Sequence, residues 1–149
     1  MEADLSQRIQ AGALAGAAGA AVLSGIMYGM WKANQGPKPM FVATQQKQFG
    51  KHGAVDHVAG MGRFVLAGAA WGAAFGYINA KPTVGKGVLF GFLPSLFLWT
   101  VLAPLQGEKL FFGGAPKKLV MPILFNSAIW GSIIGKASQR QPVSDVTLH

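Results

Sequence analysis

The sequence has no cysteine and only five acidic residues in 149. Without thiols there is no disulfide framework, no thiolate metal site and no iron–sulfur cluster. The five acids (Glu2, Asp4, Asp56, Glu108 and Asp145) are scattered through tails and loops, so no carboxylate pair is available for acid–base chemistry. A nucleophile elbow and a phosphate-cradling loop are also missing, and the chain reads as a non-enzyme. Charged residues make up 12% of the whole, about half the usual share. They are absent from four apolar stretches, Ile9–Trp31, Phe64–Ala80, Gly87–Leu105 and Leu119–Gly135.

Those stretches dominate what is present. A helix rises about 1.5 Å per residue, and crossing a hydrocarbon core of about 30 Å takes about 20 apolar residues. The first and third stretches meet that length. The second and fourth reach it with their flanking residues and lysine stems. A water-soluble helical bundle needs a polar stripe on each helix, and these stretches carry none. The expected fold is all-α, a polytopic membrane protein with four transmembrane helices in an antiparallel bundle. It forms a single membrane domain over 1–149, with helices at about 9–31, 60–80, 87–105 and 119–135 and a long loop at 32–62. The first stretch is too long for a secretory signal core of about 7–15 residues, and Arg8 is accompanied by Glu2 and Asp4, so it reads as a retained first helix. Asp4 or Ser6 is placed to cap it. No lipidation motif is present.

Within the long loop, Gly36-Pro37-Lys38-Pro39 resists helix formation. Met40–Phe49 has few breakers and predicts a short helix on the membrane surface. Asn79-Ala80-Lys81-Pro82 ends the second long helix, and the few residues that follow predict a tight antiparallel hairpin with the third. Pro94 predicts a kink there. Phe111-Phe112 is expected to dip into the headgroup region. The tail to His149 is polar.

The net charge of +8 lies in the loops and tails. No basic run is interleaved with aromatics, so nucleic acid is not the expected partner; the cations flank apolar helices and contact lipid headgroups. The N-terminal tail, second loop and C-terminal tail carry five (Arg8, Lys81, Lys86, Lys136, Arg140). The first and third loops carry eight (Lys32, Lys38, Lys47, Lys51, Arg63, Lys109, Lys117, Lys118). The positive-inside rule then puts both termini away from the cytoplasm.

The apolar stretches carry glycines four apart: Gly12/Gly16, Gly25/Gly29, Gly68/Gly72/Gly76, Gly87/Gly91 and Gly131/Gly135. Residues four apart share a helix face, so each row makes a groove that a neighbouring backbone can enter. Four helices offer more such grooves than one isolated bundle uses. Trp71-Gly72-x-x-x-Gly76 and Trp130-Gly131-x-x-x-Gly135 form a partial internal repeat and predict a 2+2 arrangement of parallel units.

Ionisable groups, the usual mark of transport paths, are missing from the spans. Asn126 and Ser127 are the polar pair within the fourth, placed to hydrogen-bond across helices. His52 and His57 are five apart, a poor spacing for one metal ion, and no metal site is expected. Either histidine is a candidate ligand for haem or chlorophyll at the membrane edge. The aromatics Tyr28, Trp31, Tyr77, Trp99 and Trp130 read as an interfacial belt or as lipid-facing.

Gly87-Val88-Leu89-Phe90-Gly91-Phe92-Leu93-Pro94, then Ala103-Pro104-Leu105-Gln106-Gly107 and Leu110-Phe111-Phe112-Gly113, resembles a loose group of small, uncharacterised four-helix bacterial inner-membrane proteins (YagU-like). The Trp-Gly-x-x-x-Gly ends and the small-residue first helix are similar to that group as well. Its members often carry a histidine in helix two or four, where this chain has Arg63-Phe64 and Asn126-Ser127. Gly62–Gly76 is similar to the mitochondrial Tim-type translocase family, which includes an accessory subunit of respiratory complex I. The first likeness implies a bacterial inner membrane, the second a mitochondrial inner membrane. The expected function is a non-catalytic accessory or scaffold subunit of a larger membrane complex, respiratory or photosynthetic. Its partners are other membrane subunits and bound lipids, and no cofactor of its own is expected. A small transporter or channel, and a porphyrin- or chlorin-binding membrane protein, are the alternatives.

Overall fold

The computed structural model describes residues 2–36, 38–97, 100–101, 103–105 and 116–139. Among these residues all regular secondary structure is helical, with no strand: α1 (Glu2–Lys32), α2 (Met40–Phe49), α3 (Ala54–Ile78), α4 (Val84–Phe97), α5 (Ala103–Leu105) and α6 (Pro116–Gln139). Two helical segments, Leu5–Lys32 and Ala54–Ile78, are long and apolar enough to cross a membrane.

Several element boundaries depart from the sequence expectation. The first helix begins at Glu2, so the proposed caps Asp4 and Ser6 lie inside it; acids in a first turn favour the helix dipole. The second long helix begins at Ala54, not near residue 60, which leaves α2 as the middle of a short arm rather than part of a long loop. Gly50 and Gly53 both take positive φ (82° and 73°), a region open to glycine, and turn the chain from α2 into α3. Over the third apolar stretch every described residue is helical: α4 to Phe97, Thr100–Val101 in the wider π form, and Ala103–Leu105 as α5. The fourth starts earlier than expected, with Pro116 at the first helical position, where its missing N–H costs nothing. The expected Phe111-Phe112 dip, Trp99 and the C-terminal tail beyond Gln139 lie outside the described residues.

The glycine rows decide which helices pair. A Cβ on Gly12 would strike the Gly72 carbonyl, one on Gly16 the Gly68 carbonyl, and one on Gly76 the Arg8 carbonyl. Rising numbers on α1 meet falling numbers on α3, so the two run antiparallel, backbone on backbone. The second pair repeats the pattern. A Cβ on Gly131 would lie 2.5 Å from Val88 Cα, one on Gly91 2.9 Å from the Ser127 carbonyl oxygen, and one on Gly135 2.6 Å from the Thr83 carbonyl oxygen. The chain is thus two antiparallel pairs, α1–α3 and α4–α6, joined side by side through α1 and α6.

The expected hairpin of α3 and α4 is a wide one: five residues join the ends, the backbones approach at few points, and rings make the contact, Trp71 against Phe90 and Phe97 and Phe75 against Phe90. Each had already filled its glycine groove with another partner, α3 with α1 and α4 with α6.

A core of Ala15, Ala20, Leu23, Phe75, Phe90, Trp130 and Ile134 lies between the pairs. Trp130 is buried and donates from Nε1 to the Gly16 carbonyl at 3.0 Å, which corrects its assignment to the lipid-facing belt. Gly19 makes room for it, since a Cβ there would lie 2.9 Å from Trp130 Cδ1.

Candidate functional site

Two features stand out. One is a glycine row with nothing against it; the other is a polar and aromatic cluster around α2.

Among the eleven row glycines, nine sit against another helix. Gly25 and Gly29 do not. Nothing lies within 4 Å of a Cβ built on either. Both are exposed, and Val22, Ile26 and Met30 beside them are exposed as well, at 49%, 36% and 40%. The first two turns' worth of small residues on α1 therefore hold α3, while the last two turns present an open groove flanked by apolar side chains.

The α2 arm docks on α3 through Phe41, Val42 and Gln45, which are buried. Gly60 permits this: a Cβ there would lie 2.5 Å from the Phe41 carbonyl oxygen. Phe41 and Phe64 complete the contact with ring centroids 5.5 Å apart. Asp56 ties the arm down. Its Oδ2 accepts from the His52 backbone N–H at 2.9 Å and from Gln46 Nε2 at 3.0 Å, and Gln46 Oε1 in turn accepts from Lys38 Nζ. One carboxylate thereby links the α1–α2 connection, α2, the α2–α3 turn and α3. Asp56 is 1% exposed. The sequence reading placed it in a loop, and the available signal was its position three residues after the turn glycine Gly53, where an acid suits a helix start.

The two candidate cofactor histidines are not brought together on one ligand. His52 is exposed, and its Nε2–H donates to the Phe49 carbonyl at 2.6 Å. His57 shares a hydrogen bond of 3.1 Å between Nδ1 and the Tyr28 hydroxyl. Its ring packs edge-on against Tyr28 and Trp31, both at 5.5 Å between centroids. Among the described residues no group of three or more His, Asp or Glu side chains is placed to hold a metal ion.

Over the same aromatics stand two ammonium groups. Lys32 Nζ lies 4.6 Å from the Trp31 ring centroid and 5.6 Å from that of Tyr28, and Lys38 Nζ lies 6.0 Å from Trp31. Such cation–π contacts are worth about 0.5–1 kcal/mol at exposed sites. Arg63 covers the Phe49 ring at 4.3 Å and donates to Gln48 Oε1 at 3.3 Å.

The polar pair on α6 divides. Ser127 is buried, its backbone fits against Gly91, and its Oγ has no hydrogen-bond partner among the described residues; Asn126 is half-buried. The polar link between helices comes from Trp130 instead.

The chain matches no family model, no characterised protein and no solved structure.

Proposed function

We propose that this chain is a non-catalytic integral membrane protein that serves as an accessory or scaffold subunit of a larger membrane complex. The open Gly25/Gly29 groove carries the reading. Every other row glycine is filled by a neighbouring backbone, and a glycine in a helix interior costs about 1 kcal/mol relative to alanine. Two glycines kept at the correct spacing, on the apolar face of an otherwise well-packed helix, suit a backbone supplied from outside the chain.

The membrane setting is supported by exposure. Only 22% of the most apolar window of Ala54–Ile78 is buried, whereas the core helix of a soluble protein is mostly buried. Leu14, Val58, Leu66, Leu89 and Met121 are each more than 70% exposed and lie on four different helices. A soluble monomer rarely exposes so many large apolar side chains. On this reading α6, with 24 residues or about 36 Å, forms a third span. The fourth is made by α4 with the residues that follow it. The likeness of Gly62–Gly76 to the Tim-type family directs the proposal toward respiratory assemblies in a bacterial or mitochondrial inner membrane.

The test is purification from native membranes in mild detergent, followed by native electrophoresis. The expected result is migration within a larger assembly, lost in the Gly25→Leu/Gly29→Leu variant while helicity and thermal stability are kept. Migration of the unaltered chain only as a small homo-oligomer overturns the reading.

A further inference from the structure

The helix ends sort the charge. Because α1 and α3 are antiparallel, the end of α1, all of α2 and the start of α3 lie together. Among the described residues that end carries Lys32, Lys38, Lys47, Lys51 and Arg63 against one acid, Asp56. Asp56 is buried and directs one oxygen to two internal donors, the His52 backbone N–H and Gln46 Nε2.

We infer that this end binds the phosphate of an anionic glycerophospholipid between the ammonium groups of Lys32 and Lys38. The inference rests on the membrane reading above. Both ammonium groups lie by one indole, Trp31, at 4.6 and 6.0 Å from its centroid, although Lys32 ends a helix and Lys38 lies six residues further on. The His57–Tyr28–Trp31 aromatic contacts hold that indole in position. An ammonium has three donors. Lys38 gives one to Gln46, and Lys32 makes only ring contacts among the described residues, which leaves both with donors for phosphate oxygens. Among the described residues neither ammonium is paired with a carboxylate.

A phosphate alone would not use the surface below. Ala54, Val55, Val58 and Ala59 line a shallow groove with no polar lining on the first turns of α3. Val55 and Val58 are 66% and 74% exposed, and Met30 on the last turn of α1 is 40% exposed. A charged rim of lysines and an interfacial tryptophan above apolar flanks matches a lipid with an anionic head and acyl chains. It does not match an acidic peptide, which would leave the apolar flank uncovered.

The experiment uses the full chain, delipidated in a neutral detergent. Intrinsic tryptophan fluorescence is titrated with brominated-chain phosphatidylglycerol, with brominated phosphatidylcholine, and with inorganic phosphate. Saturable quenching is expected with phosphatidylglycerol, at least tenfold tighter than with phosphatidylcholine, and inorganic phosphate should not displace it at millimolar levels. Lys32→Gln/Lys38→Gln should weaken it at least tenfold, Lys32→Arg/Lys38→Arg should retain it, and Lys81→Gln/Lys86→Gln at the opposite end should leave it unchanged. Equal binding of both lipids, equal binding by the double glutamine variant, or displacement by inorganic phosphate each overturns the inference. If the protein still requires detergent in those cases, the membrane reading stands without the lipid site. If the chain is monodisperse without detergent, both fall.

Discussion

The substitution Gly72→Ala adds one methyl group at the centre of the α1–α3 ladder. That methyl would meet the Gly12 carbonyl oxygen well inside contact distance, with Gly12 C and Gly16 Cα each at 2.9 Å. All three are backbone atoms and cannot rotate aside. Carbon atoms in contact prefer about 3.5–4.0 Å, so α1 must retreat by about 1 Å. Helices are stiff, and the displacement opens the contacts at Gly12, Gly16, Gly68 and Gly76 as well. A radial gap of about 0.5–1 Å forfeits a quarter to a half of each contact's attraction. Overpacking of this kind costs about 1–3 kcal/mol, and its spread over a whole interface argues for the upper end. Alanine returns about 1 kcal/mol of helix propensity. The net expectation is a loss of about 2 kcal/mol. Gly25→Ala is the matched control: the space around it is open, so it keeps the propensity gain and should stabilise the isolated chain by up to about 1 kcal/mol. Reversible unfolding in mixed micelles, followed by circular dichroism as the denaturing detergent fraction rises, measures both. Variants that differ by less than about 0.5 kcal/mol would refute the claim that glycine occupancy distinguishes internal grooves from free ones.

Trp130→Phe keeps an aromatic ring in the core but removes the donor to the Gly16 carbonyl; the same assay should show a loss of about 1 kcal/mol, against about 3–5 kcal/mol for Trp130→Ala. Gly53→Ala forces a side chain onto a backbone at φ 73° and should cost about 1–3 kcal/mol, whereas Gly62→Ala, on an open helical face, should be neutral or better. Asp56→Asn weakens the acceptor that joins Gln46 to the His52 backbone, so hydrogen exchange should quicken across Met40–Phe49 while the α1–α3 core keeps its protection. Uniform quickening over both regions would contradict a role confined to the arm.

The legible part of the fold was whatever depends on local pattern. Spacing of four marks a helix face whatever its neighbour, so the glycine rows were readable as grooves. Met40–Phe49 was readable as a helix because the prolines before it and Gly50 after it bound a segment free of breakers. Which groove meets which was not readable, because every row offers the same featureless surface. The short connection pointed to α3 beside α4, yet a five-residue link fixes only where two ends lie, not how closely the backbones approach; here rings hold them apart. Trp130 was misread for a related reason. Tryptophan suits an interface and a core equally well, and the choice was made by Gly19, more than a hundred residues away. Asp56 was missed because its partners, Gln46 and His52, meet it only after Gly50 and Gly53 have turned the chain.

The two helix pairs also show how one pattern can yield unequal seams. Gly12 and Gly16 on α1 occupy the places of Gly87 and Gly91 on α4, and Trp71-Gly72 on α3 those of Trp130-Gly131 on α6. If the pairs were equivalent, Trp71 would enter α4 as Trp130 enters α1 and bond to the Gly91 carbonyl. It packs instead against Phe90 and Phe97, with centroids at 6.1 and 5.7 Å. The difference lies three residues beyond the acceptor. There α1 has Gly19, whose missing side chain admits the indole, and α4 has Pro94 at the matching position. The α1–α6 seam closes and the α3–α4 seam stays sparse. An assembly of two such pairs is therefore directional although its parts repeat. Its closed seam buries a tryptophan, and its last unfilled glycine groove lies on α1 at the end that carries the arm and the excess positive charge. A partner helix entering at Gly25 and Gly29 would meet the membrane on the same side as the Lys32–Lys38 rim, so lipid and subunit would approach one corner of the molecule.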